Sequence, residues 1–500
     1  LASGSTLQLD GEVVSTTGTI PLRSAGALLQ DSALTNAVAA TSGRLVLDAA
    51  DGIGRTGTGV LRVSAGQLDL EQTGNANVYL EVIGSTEWVR GEIGNGVAAN
   101  VYWTQASGTL TISGAEEGGS IRLYSGRLIL RAEDRAVLLA DGLDLQVADR
   151  TELTAGSLTQ NGSASLTLGS GTSTLLIGGN WSMSAGSSVQ TATLDGHLTA
   201  RVWGHAALAA VTVAGDFRLS VYGSGSTPGD LTRVGSTSGS RVVADRLALR
   251  ATGDVGTESS AVLFETNRMD ARVDGLFRVV ELDDLNLGRY GIRLDSAASD
   301  TLRVEVRGDG SVARVLTEGG ELVDNGSGTL ELRVEEGDLE LEANVRSEGK
   351  RLGLTVVTGS LELTGKLLGG TSAEVEVEVP LGVLNMASAD ARIASGTGGV
   401  SLEARGTITM VAIESNGSLL VRSLLGRVQA SPLLASQVPS IVMTNPSFLG
   451  VVETPLGGSY WATAAIGKIR NLGPDGLVDD DSMGGSGVPG LIQVDQNYGG

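Results

Sequence analysis

Hydrophobic and polar residues alternate along most of this chain in short bursts, each introduced by a small residue. The recurring phrase is a small residue, often glycine, any residue, then Leu-x-Leu or a close variant. It reads SGRLVLDA at 42–49, AGQLDLEQ at 65–72, SGTLTISG at 107–114, SGRLILRA at 125–132 and DGLDLQVA at 141–148. It returns as SGTLELRV at 327–334, EGDLELEA at 336–343, TGSLELTG at 358–365 and NGSLLVRS at 416–423, with weaker copies at 195–202 and 244–251. A period of two predicts strands with one face buried. The preceding glycine predicts a bend, where φ turns positive or two backbones pack closely. The stretches 27–40 and 131–140 come nearest to amphipathic helices, and both fit strands too.

A longer unit also repeats. DGIGRTGTGVLRV begins at Asp51 and GDVGTESSAVLFE at Gly253, so that Ile53 maps to Val255 and Leu61 to Leu263, at an offset of 202. The pentads VYLEV at 78–82 and RVVEL at 278–282 follow at an offset near 200. Many short strands, glycine turns and irregular gaps predict an all-β protein. A row of β-sandwiches would need discrete domains with linkers. No such linker precedes residue 430, and aromatic core anchors are scarce. A parallel β-helix, or β-solenoid, fits better, because its coils add strands to continuous sheets while loops of any length leave the corners. Coils of about 20–25 residues give roughly 20 rungs and a rod on the order of 100 Å, at about 4.8 Å per rung. Six of the nine prolines lie beyond residue 430. The expected division is therefore a solenoid over 1–430 and a less regular segment, cap or connection over 431–500.

Composition narrows the chemistry. The 500 residues carry 35 basic and 57 acidic side chains, a net charge of −22, which disfavours nucleic acid as a partner. No apolar run approaches the roughly 18 residues of a membrane helix, so membrane insertion is not expected. Cysteine is absent, which removes disulfides, thiol catalysis and Cys-ligated metals. The start at Leu1 and the end at Gly500 read as cuts, as in a processed product or a piece of a longer chain.

Candidate sites are weak. His197 and His205 flank Trp203 but lack the spacing of a metal pair. Asp475, Asp479, Asp480 and Asp481 lie in a Gly-rich stretch and are the candidate Ca²⁺ ligands, without EF-hand spacing. Trp88, Tyr102 and Trp103 form the one local aromatic group, a candidate glycan contact or else core anchors. Glu374, Glu376 and Glu378 alternate with valines and read as a solvated strand face. No phosphate loop and no nucleophile elbow occurs, so no catalytic residue and no cofactor is assigned, Ca²⁺ apart.

The strings DGIGRTGTGVLRVSAGQLDL at 51–70 and SGTLELRVEEGDLELEA at 327–343 resemble the repeats of large bacterial exoproteins. These are the filamentous haemagglutinin-like and giant repeat-rich surface proteins. The resemblance spans roughly residues 1–425 and implies a right-handed parallel β-helix with a role in adhesion, biofilm matrix or surface structure. The chain departs from that pattern in showing no N-terminal secretion domain. The resulting expectation is a non-enzymatic structural or adhesive segment of a secreted bacterial cell-surface protein, an extracellular rod or filament. It would self-associate through coil ends or lateral faces, with surface glycans as a further partner. The alternatives are a β-helix polysaccharide-processing enzyme, with grouped carboxylates on one sheet face, and a glycan-binding module.

Overall fold

Strands stack in parallel, coil upon coil, and form a β-solenoid of about 18 turns in all. The computed structural model describes residues 1–94, 99–236, 239–295, 300–308 and 312–432, and the strand segments 440–443, 449–453, 461–464, 468–472 and 490–493. Among these residues there is no α-helix, and the helical pieces include two 3₁₀ turns, Gly57–Gly59 and Ala115–Glu117. The two stretches nearest to a helical pattern are strands: Ala27–Gln30 and Val38–Ala49 in the first, Leu128–Leu139 in the second. The chain divides into two compact units, Leu1–Gly253 and Asp254–Gly500.

In the second unit Leu302, Leu330, Leu352, Val375, Val400 and Leu419 occupy the same position on successive coils. All six are buried, so each aliphatic side chain packs between its equivalents above and below. Leu302 and Leu330 are 330 − 302 = 28 residues apart, while Val400 and Leu419 are 419 − 400 = 19 apart. The coils keep register while the corner loops absorb the difference, which is why the sequence shows a phrase but no fixed period. In the first unit the same arrangement runs through Leu153, Leu175, Ala200, Leu219 and Leu249.

The corners explain the small residues. Ser24, Ser347 and Ser415 are buried, and each hydroxyl oxygen accepts the N–H of a glycine two residues on, Gly26, Gly349 and Gly417, at 3.2 Å. A Ser-x-Gly bend thus satisfies its own backbone where the ladder is interrupted. At another corner Gly337, Gly359, Gly382 and Gly406 stack on successive coils. A Cβ on Gly382 would sit 2.1 Å from the carbonyl oxygen of Gly359, and one on Gly359 would sit 2.0 Å from that of Gly337. Lack of space, rather than φ, excludes larger residues from Gly359 and Gly382. Gly382→Ala is expected to cost about 2 kcal/mol, as overpacking against fixed backbone does. Gly353→Ala, with no neighbour nearer than 3.7 Å, should leave the thermal midpoint almost unchanged. Equal melting shifts for the two variants would contradict the close approach of the coils.

The long repeat is a local structure that occurs once in each unit. Ile53 pairs with Val78 and Val255 with Phe277. Gly54 and Gly256 both take positive φ, +67° and +81°, under the carbonyls of Tyr79 and Arg278. The next strands then pair alike, Val63 with Val82 and Phe264 with Glu281.

Beyond residue 430 the described strands go on stacking. Ser440–Met443 and Leu449–Glu453 continue the parallel ladders, followed by Trp461–Ala464 and Lys468–Leu472. The last described strand, Gly490–Gln493, pairs antiparallel with Trp461–Ala464.

Candidate functional site

The interior takes up most of the expected aromatic site. Trp88 and Trp103 are buried in the first unit with ring centroids 5.1 Å apart. Each indole N–H is satisfied internally, Trp88 by the carbonyl of Arg90 at 2.6 Å and Trp103 by the Gln105 side chain at 3.2 Å. Trp181 repeats the device with Gln160 at 3.2 Å. A buried indole needs such a partner. Buried rings offer no face to a sugar, so Trp88 and Trp103 are corrected from candidate glycan contacts to core anchors. Tyr102 lies on the outward side of the sheet, but its ring stacks on that of Tyr79 at 4.6 Å, nearly parallel, one coil away. One of its two faces is therefore occupied by the neighbouring tyrosine.

The histidines serve the backbone and a nearby carboxylate. His197 Nδ1 accepts the N–H of Asp216 at 2.8 Å, and His205 Nδ1 lies 3.1 Å from an Asp230 carboxylate oxygen. Among the described residues no group of three or more His, Asp or Glu is placed to hold a metal ion. The candidate Ca²⁺ ligands Asp475, Asp479, Asp480 and Asp481 lie outside the described residues.

Several carboxylates on the outer faces are met by arginines of an adjacent coil. Arg62 pairs with Glu81 at 2.9 Å, Arg127 with Asp149 at 3.3 Å and Arg422 with Glu403 at 3.3 Å. Arg314 bridges Glu340 at 2.9 Å and Asp284 at 3.3 Å. Arg90 spans Glu71 at 3.5 Å and Glu117 at 2.6 Å. The alternating acids behave as their spacing predicts: Val375, Val377 and Val379 are buried while Glu374, Glu376 and Glu378 face outward. Register adds what spacing could not. Glu378 lies beside Glu403 on the next coil, and Arg351 holds Glu376. Partial burial, with Glu376 next to it, raises the carboxyl pKa of Glu378. Arginines already hold Glu376 and Glu403.

A second outward face carries the opposite charge. Three strands of the first unit, His197–Val202, the later half of Ala210–Val221 and Val242–Ala251, lie side by side in parallel register. Their outward positions hold Arg201, Arg218, Arg246 and Arg250, all exposed, beside two carboxylates, Asp216 and Asp245, of which Asp245 lies 3.9 Å from Arg246. At the edge of this face Trp203 is 40% exposed, with its ring 6.0 Å from that of Tyr222. The guanidinium of Arg250 lies over the Tyr222 ring, 5.6 Å from its centroid. Trp203, Tyr222 and Arg250 come from three successive coils. Nothing local in the sequence marks Trp203, because the residues that lie beside it come from later coils.

No protein-family model matches the chain, and no curated protein or solved structure matches it.

Proposed function

We propose that this chain is a structural and adhesive segment of a large secreted bacterial surface protein, placed outside the cell and acting without catalytic turnover. The observation that carries this reading is the way side chains are spent. Interior positions form aliphatic ladders interrupted by a few aromatic and polar side chains, and a number of outer carboxylates are tied to arginines of neighbouring coils. A solenoid of this kind draws its stability from nearest-neighbour coil contacts and presents long, shallow faces rather than one indispensable set of residues. Self-association through lateral faces or coil ends fits the same reading, since open coil ends present unpaired backbone groups.

The rival is polysaccharide cleavage by grouped carboxylates, and Glu376, Glu378 and Glu403 are the group that favours it. The test is incubation of the purified chain with acidic and neutral polysaccharides, followed by analysis of chain length, together with electron microscopy. Intact polysaccharide and self-associated particles are the expected results. Reproducible cleavage that disappears in Glu378→Gln or Glu403→Gln would overturn the structural reading.

A further inference from the structure

The basic face around Trp203 stands out against the rest of an acidic chain. Across the outer sheets an arginine repeatedly meets a carboxylate one coil away, as Arg62 meets Glu81 at 2.9 Å. Among the described residues, Arg201, Arg218 and Arg250 have no such partner, whereas Arg246 lies 3.9 Å from Asp245 on its own strand. Arg201, Ser220 and Arg250 are in register on successive coils, so the two guanidinium groups start two rungs, about 10 Å, apart. Arg250 is steadied over the Tyr222 ring, an arrangement that orders the cation without neutralising it. Beside it the Trp203 ring is left 40% exposed on a chain that buries Trp88, Trp103 and Trp181. The exposed indole and the two guanidinium groups thus present an apolar face and positive charge side by side on one sheet face.

We infer that this face, Arg201, Arg218, Arg250, Tyr222 and Trp203, binds a polyuronate, a polysaccharide whose sugar rings carry carboxylates. The chemistry matches at both ends. A guanidinium pairs with a carboxylate through two parallel hydrogen bonds, as a lysine cannot. The apolar face of a sugar ring stacks on an exposed indole. A strand of such sugars laid across the coils takes the place on Arg201 and Arg250 that Glu81 takes on Arg62. Its repeated charge suits guanidinium groups repeated along the coil stack. The inference rests on the adhesive reading above and supplies its ligand.

The test is direct binding of alginate oligomers to the whole chain by calorimetry, with neutral dextran and a sulfated dextran alongside. Alginate should bind and dextran should not, and added salt should weaken binding because the contacts are charged. Trp203→Ala and the double variant Arg201→Ser/Arg250→Ser should each weaken alginate binding tenfold or more. Arg122→Ser, on a different sheet face, should leave it unchanged. Because all four positions are exposed, unchanged melting of the variants separates lost contact from lost fold. Three results would overturn the inference: alginate binding indifferent to both patch variants, binding of the sulfated polymer alone, or a change in sedimentation of the free chain in the variants, which would make the face a contact between copies. Any of these leaves the cleavage assay unaffected, so failure here is distinguishable from failure of the structural reading.

Discussion

Leu330→Asp is expected to destabilise the second unit by about 3–5 kcal/mol at neutral pH, the cost of a buried charge without a partner. Leu330 is fully buried, with Leu302 below it and Leu352 above it in register. Neither neighbour can hydrogen-bond a carboxylate, and the closed coil admits no route to solvent short of breaking the ladder. The adjacent Glu331 points outward and pairs with Arg303 on the previous coil. Glu331→Gln removes only a partly exposed ion pair, worth about 0.2–1 kcal/mol. Denaturant melts of the two variants check this. Similar losses at 330 and 331 would mean that the inward and outward faces have been assigned wrongly.

The second large effect concerns Glu281, a carboxyl at an interior position. The equivalent place in the first unit holds Val82, which is buried among aliphatic side chains. Glu281 is fully buried too. Its carboxyl group accepts the N–H of Thr266 at 2.9 Å and meets the Thr266 hydroxyl at 3.0 Å. Burial pushes its pKa from 4.5 up to about 8, although hydrogen bonds from Thr266 and the Asp283 backbone pull the other way. A pKa raised by folding means that the folded state holds the proton more tightly than the unfolded one. The neutral carboxyl therefore imposes no penalty below pH 4.5. Stability falls as pH rises from 4.5 to about 8, and the loss is complete above that. At 1.36 kcal/mol per unit the full loss is about 5 kcal/mol. Glu281→Gln keeps the shape and the hydrogen bonds with Thr266 while removing the titration. The variant should match the wild type near pH 4 and exceed it by several kcal/mol near pH 9. Parallel stability curves for the two proteins across that range would show that Glu281 ionises freely.

Asp324 adds to the same trend. Burial raises its carboxyl pKa as well, against hydrogen bonds from the N–H of Gly326 and the hydroxyl of Ser347. The comparison of Glu281→Gln with the wild type cancels this contribution, because Asp324 is present in both.

The sequence by itself determined the strands, which side of each strand faces inward, and the solenoid architecture. Leu330 and Leu332 inside with Glu331 outside, and the valines 375, 377 and 379 inside with their glutamates outside, follow from the pleat, which turns successive side chains to opposite faces whatever lies beyond the strand. The glycine ahead of each phrase was also legible, because a bend is a property of a few consecutive residues. Tertiary structure alone decided which residue stands above which. Register depends on corner loops that carry no period, so the spacing of residues that match in space varies, from 19 between Val400 and Leu419 to 28 between Leu302 and Leu330 and 30 between Leu219 and Leu249. That register puts Trp88 and Trp103 in the core, turns a solvated glutamate stripe into a group shared with Arg351 and Glu403, and seals Glu281 where the first unit has a valine. It also gathers Trp203, Tyr222 and Arg250 from three coils onto one face. Alternation is local and survives in any window of the sequence; stacking is a long-range pairing that only the closed coils fix.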